Sequence, residues 1–82
     1  MNDLIMNLDK LHTTELGAER IRRNLGVEVV DVAEWCRQRI KGAEQIARRG
    51  KNWYIQNENA IITINAHSYT VITAHRDKEP EI

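Results

Sequence analysis

A chain of 82 residues in which twelve Lys and Arg balance twelve Asp and Glu buries only about 60% of the surface its unfolded form exposes. There is no room for a second domain or a deep substrate cavity, so function must lie in a shallow surface groove or at an interface. Zero net charge also excludes the overall field that draws a protein onto nucleic acid without regard to sequence.

With one cysteine, Cys36, the chain can form no internal disulfide. An unstapled domain this small fits a reducing compartment, so the expected location is cytoplasmic. The N-terminal apolar stretch lacks a basic flank and is broken by Asn7, Asp9 and Lys10, which does not read as a signal peptide. No run approaches the roughly 20 apolar residues of a membrane helix, and no membrane partner is expected. Charge is unevenly spread: residues 1–19 hold four acids and one base, residues 20–51 nine bases and four acids, and the remainder two bases and four acids. Arg22, Arg23, Arg37, Arg39 and Lys41 are expected on solvated outer faces of helices. With no Phe present, the aromatic bulk rests on Trp35, Trp53, Tyr54 and Tyr69.

Leu4, Ile5, Leu8 and Leu11 recur at helical spacing, so a short helix is predicted from about Asn2 to Lys10. A second runs from near Thr14 to Leu25, with Ala18, Ile21 and Leu25 on one stripe, and Gly26 supplies a left-handed stop. The third has the fullest local signature. Asp31 stands at the N-cap and Glu34 three residues on, with Val30 and Trp35 placed for a hydrophobic staple. Val32, Trp35, Cys36 and Ile40 form its stripe and Gly42 ends it. The period then falls from 3.6 to 2. Strands are predicted over 45–49, 51–56, 60–66 and 69–75, separated by turns at Gly50-Lys51, at Asn57-Glu58-Asn59 and at His67-Ser68. If the last loop is two residues long, Ile64 faces Val71, Ile62 faces Thr73 and Thr63 faces Ile72. A three-residue loop reverses the faces.

The predicted fold class is therefore α+β: two or three N-terminal helices packed on one face of a three- to four-stranded antiparallel β-meander. It forms one domain over residues 1–76, and a charged tail over 77–82 is expected to fray. Trp35 and Trp53 are expected to anchor the two layers.

Leu11-His12-Thr13-Thr14-Glu15-Leu16-Gly17, Glu34-Trp35-Cys36, Gly50-Lys51-Asn52-Trp53-Tyr54 and Ile64-Asn65-Ala66-His67-Ser68-Tyr69-Thr70 closely resemble an uncharacterised bacterial family of small proteins, the DUF3781 group, across about residues 4–76. That resemblance implies no activity. A His ahead of spaced Arg residues, followed by a meander ending in Ile72-Thr73-Ala74-His75, is also distantly similar to the small ribonuclease-toxin superfamily of RelE-type, barnase-like and colicin-type enzymes. Those enzymes set helices before an antiparallel sheet and cut RNA without metal. By that resemblance the catalytic residues would be His12, Arg20, Thr73 and His75. The neutral charge and the short sheet depart from the pattern.

Two readings of function follow. The first is a cytosolic binding or regulatory domain that contacts RNA or a protein partner, such as an antitoxin, or a second copy of itself. The alternative is a metal-free endoribonuclease of toxin type, or an inactive relative; imidazoles suit the base and acid steps and Arg the phosphorane charge. A nucleic-acid surface is expected from Arg48, Arg49 and Lys51 beside Tyr54, with Asn65 and Tyr69 on the last hairpin. No metal or cofactor is expected, since three scattered His and one Cys lack ligand spacing. Cys36, on the apolar stripe, is expected to be a buried inert thiol.

Overall fold

A computed structural model describes residues 3–76; the expected tail lies outside them. The chain runs through α1 (Asp3–Met6), a 3-10 turn (Leu8–Lys10), α2 (Glu15–Leu25) and α3 (Val32–Lys41) into four strands, β1 (Gln45–Arg49), β2 (Asn52–Asn57), β3 (Ala60–Asn65) and β4 (Val71–Arg76). The strands pair antiparallel in the order β1-β2-β3-β4, and the helices pack on the sheet. The α+β class and the meander match the sequence expectation. No helix among the described residues is long and apolar enough to cross a membrane.

The predicted first helix is split. The Asn7 side-chain amide donates to the Asp3 carbonyl at 2.8 Å, and the chain tightens into a 3-10 turn. Thr14 caps α2 by accepting from the Gly17 N–H, and Gly26 closes it at φ 68°. Asp31 caps α3 by accepting from the Glu34 N–H at 3.0 Å. The staple does not form: Val30 is 93% exposed, and the Trp35 ring is covered by the Arg39 guanidinium at 4.7 Å. Glu34 does not reach back to complete a capping box either. Gln38, and after it Arg37, hydrogen-bond its carboxyl and hold it below the usual range.

Register divides the sheet into two faces. Rows Arg48–Trp53–Ile64–Val71 and Ile46–Ile55–Ile62–Ala74 point toward the helices; there Ile55, Ile62, Ile64 and Ala74 are fully buried and Trp53 is 7% exposed. Rows Ala47–Tyr54–Thr63–Thr73 and Gln45–Gln56–Ile61–His75 point the other way. The last hairpin keeps the Ile64–Val71 pair expected of a two-residue link, but then shifts by one between Thr63 and Ile64. Ile72 is the extra residue of a bulge and is exposed. The shift sends Ala74 inward and Thr73 outward, where the unbulged register would bury a hydroxyl and expose the small apolar residue.

The helical cations are not all solvated. Arg37 donates from Nε to the Leu8 carbonyl at 2.9 Å and from an Nη to the Leu11 carbonyl at 2.8 Å. Arg22 binds the Val29 and Val30 carbonyls, and Arg76 binds the Leu25 carbonyl behind α2. Loop carbonyls next to a core need partners, and in this small fold guanidinium groups supply them. The Asn57 amide does the same at the end of α3, donating to the Arg39 and Gly42 carbonyls.

Removing Arg37 leaves two partly buried carbonyls unpaired, so Arg37→Leu is expected to cost about 2 kcal/mol. That would read as a lower urea midpoint at unchanged slope. Burial pushes the Cys36 thiol from 9.0 up to about 12. The native protein should therefore resist a thiol reagent at pH 8 and react once unfolded. Because the folded-state value lies above the unfolded one, the stability this thiol contributes is present below about pH 9 and lost as pH climbs toward 12. Cys36→Ala should flatten that alkaline decline.

Candidate nucleic-acid interface

Residues 45–76 contain four bases (Arg48, Arg49, Lys51 and Arg76) and one acid, Glu58. Glu58 occupies the β2–β3 turn, at the opposite end of the sheet from the β1–β2 turn that carries Lys51. Arg76 is held behind α2. The cations left to the sheet, Arg48, Arg49 and Lys51, gather around one end of it. Cross-strand geometry holds two of them over rings: the Arg48 guanidinium lies 5.4 Å from the Trp53 centroid and the Arg49 guanidinium 5.9 Å from that of Tyr54. Arg48 Nε also donates to the Gly50 carbonyl at 3.0 Å. Gly50 adopts φ 57°, the left-handed conformation this two-residue turn requires.

The β3–β4 loop sits beside that turn, since the Ala66 N–H donates to the Lys51 carbonyl at 2.8 Å. Asn65 organises it. Its Oδ1 accepts from the His67 N–H, the Ser68 N–H and the Ser68 hydroxyl. Tyr69 takes φ 61°, packs half-buried against the core, and carries the Lys10 ammonium 5.8 Å from its ring. Arg48, Lys51, Asn65, Ala66 and His67 line a hollow between the two turns.

Of the expected nucleic-acid set, Arg48, Lys51 and Asn65 thus share one hollow, while Arg49 and Tyr54 lie together on the outward face and Tyr69 is a packing residue at the rim. His67, expected only as part of a turn, joins the hollow. No single-residue signal marked it; its place follows from the pairing of two loops 15 residues apart in sequence.

The four residues matched to ribonucleases are not brought together. His12 forms a parallel bridge beside Thr70 at the start of β4, and His75 lies near its end. At about 3.3 Å per residue, five residues separate them by roughly 15 Å. His12 Nδ1 lies 3.0 Å from the Lys10 carbonyl, an acceptor only, so Nδ1 carries the proton. In the neutral ring Nε2 then accepts from the Thr70 hydroxyl 2.9 Å away. Both nitrogens are thereby engaged in fastening the N-terminal segment to β4. Thr73 and His75 share the outward face, whereas Arg20 is exposed on α2, opposite the stripe of Ala18, Ile21 and Leu25 that packs on the sheet.

Architecture and surface together define a small α+β domain whose antiparallel sheet is helix-covered on one side and mostly polar on the other. Residues 5–75 match the model of a family described as a protein of unknown function (DUF3781), and the chain belongs to that family. No curated protein and no solved structure matches it.

Arg49 and Lys51 are exposed and make no ion pair among the described residues. Reversing Lys51 should leave stability within about 0.5 kcal/mol of the parent, and reversing Arg49, which also gives up its contact with Tyr54, within about 1 kcal/mol, both read from denaturant melts, so these variants can test function in folded protein.

Proposed function

We propose that this domain binds single-stranded RNA across the outward face of its sheet, with the basic end as the main phosphate contact. The observation that carries the reading is the segregation of charge. A protein of zero net charge folds so that Arg48, Arg49 and Lys51 gather at one end of the sheet, while the one acid of residues 45–76, Glu58, lies at the other end with Arg76. Local segregation gives a site for phosphates where the whole molecule has no attracting field.

The outward rows suit the remaining features of a single strand. Tyr54 offers a ring at the middle of the sheet for a base to stack on. Asn52 and Thr73, half-buried on that face, supply an amide and a hydroxyl able to pair with base edges and with the ribose 2′-hydroxyl. The strand pairing of β2, β3 and β4 holds these groups in fixed register, so little ordering is needed on binding.

Catalysis is a weaker reading. His12 is committed to Lys10 and Thr70, and the matched His and Arg residues face different parts of the surface, so no arrangement of base, acid and phosphate cation is assembled around one point.

With three contacting cations and a slope near 0.7 per phosphate for single strands, affinity for an oligoribonucleotide should fall about 20-fold between 50 and 200 mM salt. Arg49→Glu should weaken binding and flatten that dependence. A DNA strand of the same sequence should bind less tightly. Fluorescence anisotropy with labelled strands measures all three, and no binding at 50 mM salt would contradict the proposal.

A further inference from the structure

The hollow between the β1–β2 turn and the β3–β4 loop is built almost wholly of donors. Asn65 decides its character. Because Oδ1 takes three donors from the loop, the planar amide must turn its Nδ2 away from that loop, toward the hollow that Asn65 lines. Arg48 is fixed by its Nε bond to Gly50 and by the Trp53 ring, which leaves the terminal nitrogens of its guanidinium for a ligand. Lys51 adds an ammonium and His67 an imidazole, and Ala66 contributes no polar side chain. No carboxylate among the described residues lines the space. The backbone bond from Ala66 to Lys51 holds the two sides together. Such a set suits a ligand group that only accepts hydrogen bonds and carries about two negative charges.

We propose that this hollow receives the terminal phosphate of the RNA strand, a phosphomonoester, and so fixes which end of the strand meets the turns. The inference rests on the single-strand reading above and deepens it. An internal phosphodiester carries one charge and continues in both directions. The hollow instead lies at the end of the sheet, off the rows along which a strand runs, and sets two cations, the held Arg48 and the exposed Lys51, against a dianion. Its volume of about 510 Å³ admits the nucleoside attached to the phosphate as well as the phosphate itself. Lys51 and Arg48 hold the charge, and Asn65 Nδ2 reads the position of one oxygen.

The test compares three short RNAs of one sequence, bearing a 5′-phosphate, a 3′-phosphate or neither, each titrated into the full chain at one salt concentration. One phosphorylated strand is expected to bind about tenfold more tightly than the bare strand, the size of one charge-assisted contact. Millimolar inorganic phosphate should erase that difference. Asn65→Asp keeps an oxygen for the three loop donors but replaces the inward amide by a second oxygen, and should abolish the preference. Lys51→Ala, at an exposed turn position, should abolish it too and decides the matter if Asn65→Asp fails to fold in a thermal melt. Equal binding of all three strands overturns this inference and leaves the RNA reading intact. Binding by none of them overturns both. A preference that survives Lys51→Ala in folded protein places the terminal phosphate elsewhere and overturns the assignment of the hollow.

Discussion

A four-stranded sheet has two faces, and the helices among the described residues cover one. Ile55, Ile62, Ile64, Val71 and Ala74 are buried beneath α2 and α3, and that burial of branched apolar surface is the main source of stability available to a domain of this size. Everything else follows from one face being left without helices among the described residues. An antiparallel sheet tolerates water on one side when its outward positions are mostly polar, and Tyr54, Gln56, Thr73 and His75 meet that condition around the buried Thr63 and the half-buried Ile61. The bulge at Ile72 serves the same division by returning Ala74 to the core side and Thr73 to the solvent side.

Thin packing also explains where the cations go. With little core to bury loops under, the chain pairs exposed stretches of backbone through side chains: Arg37 for the segment after α1, Arg22 for the connection after α2, Arg76 for the end of α2 and Asn57 for the end of α3. A basic count taken from sequence therefore overstates the charge offered to a partner. Of the cations on the sheet, those that remain are concentrated at the β1–β2 turn end, where Arg48 and Arg49 lie over aromatic rings. Interactions of this kind, at partly exposed sites, contribute about 0.5–1 kcal/mol each. Their larger effect is to hold long side chains in place before a ligand arrives.

Periodicity made most of this architecture readable. The change of spacing at Gly42 divides helices from strands, the caps at Thr14 and Asp31 are where short-range chemistry puts them, and alternation in β2 assigns Trp53 and Ile55 to one face and Tyr54 to the other. Long-range choices were not readable. Whether Val30 staples to Trp35 depends on where the α2–α3 connection goes, and Arg22 pins that connection by its carbonyls. The hairpin register changes part-way along β4 because the core prefers Ala74 to Thr73, a preference that only the facing helix imposes. Arg48, Arg49, Lys51 and Tyr54 could be grouped from sequence because they are neighbours. Asn65 was named as well, but its part in the hollow and the arrival of His67 there depend on two turns meeting.

The account stands on the outward face and the turn end being where a partner lands. Amide chemical-shift mapping during titration of a short RNA tests this most directly. Shifts should concentrate at Arg49, Lys51, Tyr54, Thr63, His67 and Thr73, while α2 and the buried face of α3 stay still. Shifts centred on the helices, on Val29 and Val30, or nowhere on the sheet would contradict it.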